Sequence, residues 1–228
     1  MGHYYPVTWV TGNMSSSKPY PLFEPYQINE KISKMKKKVS TVIGDIPWKI
    51  IREFSVELST PLSNIFNSAT LGGVWPNIWK CEVVTPVPKV YPTISVDELR
   101  KIAGTKNFSK IYEALLADFI IEDMNPCMDP SQYGNVKGIS IQHYLVKIIN
   151  RILTILDTKN EVEKHAVFAQ LVDWSKAFDR QDPTLGIKSF IRNGVRPTLI
   201  PVLISFFQDR TMVVKWNGEL STKHDLPG

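Results

Sequence analysis

The stretch Leu171-Val-Asp173-Trp-Ser-Lys-Ala-Phe178-Asp179 begins within an almost continuous apolar run, which starts at Ala166 and ends at the carboxylate of Asp173. Runs of this kind are typical of a strand that is buried on both faces. Such a strand would present the carboxylate of Asp173 at the sheet edge beside backbone carbonyls, where hard ions such as Mg²⁺ are often held. An Asp after a buried strand is also a common helix N-cap, so the pattern alone leaves both interpretations open.

Helical periodicity dominates the chain before this strand. Apolar residues recur at three- and four-residue steps over 48–66, between a helix start at Asp45-Ile-Pro47 and a stop at Gly72-Gly73. We expect Pro61 to kink or divide this segment. Similar stripes predict further helices over 108–120 and 141–156.

Strands are predicted in two places. The Val- and Thr-rich segment 79–89 predicts a strand, followed by a turn at Tyr91-Pro92 and a returning arm that contains Arg100. After two helices predicted over 183–193 and 197–208, Met212 to Trp216 alternates as a strand and Asn217-Gly218 predicts a hairpin turn. The sequence therefore predicts a helix-rich front half and a mixed β and α back half.

Composition sets broad limits on function. The 228 residues are 43% apolar and 21% charged, which is typical of a globular protein. Twenty-seven Lys and Arg against 22 Asp and Glu give a net charge of +5, a mild preference for polyanionic partners. Two cysteines exclude a disulfide framework and a four-cysteine zinc site. Without a signal-peptide pattern or a membrane-spanning apolar run, we expect an intracellular protein, nuclear or cytoplasmic, that is not secreted and has no membrane partner.

A lysine cluster lies between an irregular N-terminal arm, residues 1–26, and the first long helix. It consists of Lys31, Lys34, Lys36, Lys37 and Lys38. These residues are typical of a solvated helix face, and they would equally suit a surface that contacts phosphates. Nothing within the cluster decides between the two interpretations.

Asp173-Trp-Ser-Lys-Ala-Phe-Asp179 resembles the first catalytic palm motif of reverse transcriptases, particularly those of non-LTR, LINE-like retrotransposons. Other motifs occur in the same order as in that family, and together they cover roughly residues 28–228. These motifs are Asp45-Ile-Pro47, Pro61-Leu-Ser-Asn-Ile-Phe-Asn67, Trp75-Pro-Asn-Ile-Trp79-Lys80, Thr85-Pro-Val-Pro-Lys89, Leu99-Arg-Lys-Ile102, Ser109-Lys-Ile-Tyr-Glu113, Asp129-Pro-Ser-Gln-Tyr-Gly134, Asn193-Gly-Val195, Asp209-Arg210 and Asn217-Gly218.

The resemblance implies an α+β, right-hand polymerase fold. An irregular arm would occupy 1–26, helix-rich fingers 27–160, and a partial palm 161–228 with the first catalytic motif and the start of a hairpin. The intact enzyme would be an RNA-directed DNA polymerase that adds dNTPs to a DNA primer on an RNA template, with Mg²⁺ as cofactor.

The resemblance also implies roles for residues of the palm motif. Asp173 would be the catalytic metal ligand, and the backbone carbonyl of Trp174 a further oxygen ligand. Phe178 would lie against the sugar and exclude a 2′-hydroxyl, although it could instead be a buried core residue. Asp179 is a weaker ligand candidate, and we expect it to cap a helix or form a salt bridge.

The front half would supply the other contacts. Lys89 and Arg100, on the two arms of the predicted hairpin, would bind the incoming triphosphate, because a lysine and a bidentate arginine suit a polyanion. Without the resemblance, they would be assigned as solvated strand charges. Gln132, Tyr133 and Lys137 would contact the template strand, with Tyr133 able to stack on a base.

The family also needs a Pro-Gln-Gly motif and a pair of adjacent aspartates, and this sequence contains neither. We therefore expect a fragment truncated before the second palm motif, with the remainder of the polymerase chain missing. One carboxylate cannot hold two Mg²⁺ ions, so we expect the chain alone to be inactive and to associate through an uncovered apolar sheet face. The alternative is a non-catalytic, nucleic-acid-binding relic of a retrotransposon.

Overall fold

The computed structural model describes residues 20, 22–36, 42–136, 138–157, 166–174 and 181–226. These residues form seven α-helices and a small mixed sheet of five strands, which is consistent with the predicted α+β class. The chain divides into two compact units, Met1–Asn125 with Asp182–Gly228, and Pro126–Gln181. Most of the predicted N-terminal arm (1–19 and 21) and the predicted boundary between 160 and 161 lie outside the described residues.

Six of the helices belong to the first unit. They are α1 (Pro25–Lys34), α2 (Trp48–Glu53), α3 (Ser55–Gly72), α4 (Asn107–Met124), α6 (Pro183–Arg192) and α7 (Ile200–Phe207). The helix predicted over 48–66 is divided at Phe54, whereas α3 continues through Pro61, so the prediction of a division at Pro61 is wrong. Proline cannot donate to the carbonyl of Glu57, but Glu57 is exposed, and water can satisfy that carbonyl instead.

An aromatic cluster forms the centre of the first unit. Tyr112 of α4 stacks between Phe66 of α3 and Trp75, with ring centroids 4.8 and 4.7 Å away. Its hydroxyl lies 2.7 Å from the hydroxyl of Thr70, which satisfies both groups inside the core. Burial raises the pKa of Tyr112 to about 12. This packing confirms the apolar stripe predicted over 108–120 as the buried face of α4.

The sheet contains the strands β1 (Cys81–Pro88), β2 (Leu99–Gly104), β3 (Thr211–Trp216), β4 (Glu219–Leu220) and β5 (His224–Asp225). Strands β1 and β2 form an antiparallel hairpin, which confirms the predicted strand, turn and returning arm. Strand β3 pairs in parallel with β1 and antiparallel with β4 and β5. The predicted β3–β4 turn is confirmed, and Asn217 and Gly218 both have positive φ (49° and 89°), as a tight hairpin turn requires.

The second unit contains α5 (Ile141–Leu156) and a segment without regular secondary structure, 166–174. The predicted helix over 141–156 is confirmed. The prediction that 166–173 is a strand buried on both faces is wrong, because every residue of 166–174 is exposed and none is in a strand. Phe168 and Leu171 are 97% and 98% exposed. A strand buried on both faces needs a strand to pair with and a packed layer on each face, and the described part of this unit contains no other strand.

None of the described helices combines the length and the apolar content that a bilayer crossing requires.

Candidate functional site

The β1–β2 hairpin brings together the two cations that the sequence assigned to the triphosphate. Arg100 is the second residue of β2 and pairs with Val87 of β1, while Lys89 directly follows β1. The backbone N–H of Lys89 donates to the carbonyl of Glu98 (2.8 Å), and its ammonium donates to the carbonyl of Asp97 (2.9 Å). Both side chains are exposed. Two exposed cations therefore lie near the turn end of one hairpin, where they could contact an anion in solution.

An open groove of about 430 Å³ lies on one face of this hairpin. Its floor contains Val83 and Thr85 of β1 and their partners on β2, Gly104 and Ile102. Side chains alternate along a strand, so the next pair on the same face, two residues on, is Val87 with Arg100. Arg100 therefore shares a face with the groove.

The groove also contains two lysines that the sequence analysis did not single out. Lys110 of α4 and Lys215 of β3 line it, together with Asn107 and the buried indole of Trp48. None of the described residues that line the groove is acidic. Its lining therefore combines apolar surface with positive charge, which suits a ligand that has a flat apolar part and an anionic part. The spacing within α4 placed Lys110 beside the apolar stripe, but only the fold brings it near Lys215.

A partly buried charged cluster supports the opposite face of β1. Glu82 alternates with Val83, and its carboxylate accepts a hydrogen bond from Arg210 at 3.2 Å. Glu113 of α4 accepts a hydrogen bond from the hydroxyl of Ser109 at 2.7 Å. Burial raises the pKa of Glu113, and this exceeds the lowering effects of Ser109 and Arg210. The ion pair between Glu82 and Arg210 links β1 to the residue before β3. This cluster therefore helps to hold the two parallel strands in register.

Asp173 and Trp174, the predicted metal ligands, lie in the exposed segment 166–174 of the second unit. They offer one carboxylate and one backbone carbonyl. Mg²⁺ in proteins is commonly bound by one or two carboxylates with waters and substrate phosphates, so Asp173 fits a first ligand and not a complete two-ion site. Among the described residues, no group of three or more His, Cys, Asp or Glu side chains could hold a metal ion. Phe178 and Asp179 lie outside the described residues.

The predicted template contacts lie in the loop before α5. The side-chain amide of Gln132 donates to the carbonyl of Gly134 at 3.0 Å, within its own loop. The ring of Tyr133 lies 5.3 Å from that of Tyr144, and the ammonium of Lys147 lies 5.3 Å from the centre of the Tyr133 ring. Lys137 lies outside the described residues. Tyr144 and Lys147 were not predicted, because the helix was recognised by its apolar stripe alone.

Part of the lysine cluster forms ion pairs. The ammonium of Lys31 pairs with Asp118 and that of Lys34 with Glu30. The hydrogen bond from Lys34 lowers the pKa of Glu30. Lys34 is 69% exposed and fits the interpretation of a solvated helix face, whereas Lys31 is only 23% exposed and its ion pair joins α1 to α4. Lys37 and Lys38 lie outside the described residues.

No protein-family model matches the chain.

Proposed function

We propose that the chain is the fingers and first palm region of an RNA-directed DNA polymerase with a right-hand fold, and that the β1–β2 hairpin binds the incoming dNTP. The order of the motifs along the sequence supports the family. The fold is compatible with it, since a helix-rich region precedes a hairpin and a mixed sheet. In the intact enzyme, the proposed partners are an RNA template, a DNA primer and dNTPs, with Mg²⁺ as the cofactor.

One observation supports nucleotide binding more than any other. The β1–β2 register puts Arg100 on the groove face, where Lys110 and Lys215 add positive charge beside apolar side chains. A nucleotide has a flat base that fits apolar surface and a triphosphate that fits cations. Arginine binds phosphate through two parallel hydrogen bonds, and lysine acts as a point charge. The proposed arrangement therefore places the triphosphate towards Arg100 and Lys89 and the base in the groove.

The adjacent lysine of β2 makes a sharp test possible. Lys101 pairs with Pro86 and so lies on the hairpin face opposite to Arg100, although both side chains are exposed. Binding of a fluorescent dATP analogue in Mg²⁺ is measured for the full chain, for Arg100→Gln and for Lys101→Gln. We expect Arg100→Gln to weaken dATP binding roughly tenfold or more, because a hydrogen bond to a charged group contributes about 1.5–3 kcal/mol. Lys101→Gln removes the same charge and is expected to change the affinity less than about twofold.

Lys215→Gln and Lys89→Gln extend the same measurement to the groove and to the end of β1. Both are expected to weaken nucleotide binding. Equal effects of Arg100→Gln and Lys101→Gln would show that only net charge matters, and would contradict the proposed site. Loss of dATP binding that parallels a loss of thermal stability would contradict it as well.

Catalysis by this chain alone is not expected. Asp173 is a single carboxylate, and the sequence has no pair of adjacent aspartates that would complete a two-ion site. A primer-extension assay with an RNA template, a DNA primer, Mg²⁺ and dNTPs should give no product. Robust synthesis that Asp173→Ala abolishes would contradict this expectation.

The alternative function, a nucleic-acid-binding protein without catalysis, is favoured by the isolation of Asp173 in an exposed segment. In that case, salt-dependent binding of an RNA–DNA hybrid would be unchanged by Asp173→Ala, and Arg100→Gln would not change dATP binding. The dATP measurement on Arg100→Gln therefore separates the two functions.

A further inference from the structure

One face of α5 combines aromatic and basic side chains. Tyr144, Lys147 and Arg151 are spaced three and four residues apart, so they lie on one side of the helix, and all three are exposed. The loop before the helix adds Tyr133, whose ring lies 5.3 Å from that of Tyr144 and equally far from the ammonium of Lys147. We call Tyr133, Tyr144, Lys147 and Arg151 the α5 face.

The charge of this helix has one sign. Its 16 residues include two permanent cations, Lys147 and Arg151, and no acidic residue. Neither cation forms an ion pair with a described residue. Four residues of helix separate Lys147 from Arg151 by about 6 Å along the axis, which is comparable to the distance between neighbouring phosphates of a single strand.

We propose that the α5 face binds single-stranded nucleic acid, with a base stacked on the tyrosines and phosphates at Lys147 and Arg151. Proteins that bind single strands without sequence preference combine aromatic platforms with a positively charged track, and the α5 face has both. This inference rests on the proposed function and extends the predicted template contact of Tyr133 along α5 to three residues that the sequence motifs did not include.

Two other roles would use the same residues. The contacts of Tyr133 could serve only to hold the loop against α5, in which case Arg151, which is one turn beyond Lys147, would have no part in them. A basic amphipathic helix can also lie on an anionic membrane surface. The α5 face differs from that pattern because it contains a pair of tyrosine rings, one of which also contacts Lys147. Each role is a distinct outcome of one experiment.

The experiment measures binding of a fluorescein-labelled 16-nucleotide oligo(U) and of oligo(dT) to the full chain by fluorescence anisotropy over a range of salt concentrations. The double variant Lys147→Gln, Arg151→Gln should reduce the slope of log K against log salt by about 1.4, since single strands contribute about 0.7 per phosphate contact. Tyr144→Ala should weaken binding about 5- to 150-fold, as the loss of one stacked base predicts. Tyr144→Phe keeps the ring and should bind within about twofold of the wild type.

The matched control is Lys49→Gln, Arg192→Gln, which removes one exposed lysine and one exposed arginine from helices of the first unit. It should leave the salt slope nearly unchanged. An equal change of slope in the control would overturn the proposal, as would affinity losses that appear only with a lower Tm. Binding to vesicles of phosphatidylcholine and phosphatidylserine that depends on Lys147 and Arg151, with unchanged oligonucleotide binding, would overturn it in favour of a membrane surface.

The dATP affinity of the same variants separates this inference from the function on which it rests. Unchanged oligonucleotide binding in the α5 variants, with dATP binding still dependent on Arg100, would overturn the α5 face alone. Loss of the Arg100 dependence would instead contradict the proposed polymerase function.

Discussion

Arg196 binds Asp123 through two parallel hydrogen bonds, from Nε to Oδ2 at 2.7 Å and from Nη2 to Oδ1 at 2.8 Å. The side chains are 5% and 0% exposed, and the backbone N–H of Arg196 donates to the same carboxylate at 2.8 Å. The guanidinium also lies 4.7 Å from the ring centre of Phe119. The hydrogen bonds to Asp123 raise the pKa of Arg196 above its ordinary value. These contacts join the end of α4 to the turn before α7.

Removing one partner of this pair should destabilise the protein strongly. Asp123→Ala leaves the buried guanidinium without its bidentate acceptor, and we expect it to cost about 3–5 kcal/mol of unfolding free energy. Glu122 is the matched control, since its carboxylate contacts the same guanidinium at 3.0 Å but is 69% exposed. Glu122→Ala should cost less than about 1 kcal/mol. Urea denaturation gives both values, and similar costs for the two variants would contradict this assignment.

The two glycines at the end of α3 should respond oppositely to the same substitution. Gly73 has φ +62°, and a Cβ there would lie 2.6 Å from Cβ of Pro201 in α7. We expect Gly73→Ala to cost about 1–2 kcal/mol for the left-handed backbone, with the clash in addition. Gly72 is helical with nothing near its Cβ position, so Gly72→Ala should stabilise by up to about 1 kcal/mol. Thermal melts of the two variants test this, and a Gly73→Ala variant as stable as the wild type would contradict the close approach to Pro201.

Features that depend on local pattern could be predicted from the sequence. The apolar stripe of α4, the helix stop at Gly73 and the turn at Asn217-Gly218 each follow from residues within a few positions of one another. The parallel pairing of β1 with β3 could not be predicted, because it joins Cys81 to Thr211 and no local pattern specifies that partner. The error at 166–173 has a related origin, since an apolar run becomes a strand only when another strand lies beside it.

The candidate site was predictable to the same extent. Lys89 and Arg100 come from one hairpin, so their approach follows from a strand, a turn and a returning strand. Lys110 and Lys215 were missed because their approach needs α4 and β3 to pack around that hairpin. The pairing of Arg196 with Asp123 was missed for the same reason, because it joins residues that are 73 positions apart.

The half-buried carboxyl of Glu113 should make stability depend on pH. Burial raises its pKa above the ordinary value of 4.5, so the folded protein holds this proton more tightly than the unfolded chain does. The contribution of Glu113 to stability is therefore present at pH values below 4.5 and is lost as the pH rises through the folded pKa. Glu113→Gln keeps an acceptor for Ser109 and removes the buried charge, so its Tm should exceed that of the wild type at pH 8 and match it near pH 4.

Glu30 provides the opposite control, because its pKa is lowered by Lys34. Glu30→Gln should not raise the Tm at pH 8. If the Glu113 and Glu30 variants raised the Tm at pH 8 equally, the cause would be the loss of a negative charge and not the relief of burial.

The exposed apolar segment 166–174 should mediate self-association. Phe168 and Leu171 are almost fully exposed, and the segment makes no backbone hydrogen bond to another described residue. Exposed apolar segments that are not paired in a sheet can pair between chains. We expect the wild type to form larger species as its concentration rises, measured by light scattering during size-exclusion chromatography. The double variant Phe168→Ser, Leu171→Ser should reduce this association.

The control is the double variant Ile94→Ser, Val96→Ser, since these side chains are 87% and 82% exposed but lie in the loop of the paired β1–β2 hairpin. If apolar exposure alone drove association, the control would reduce it equally, whereas a requirement for unpaired backbone predicts that only the 168 and 171 substitutions act.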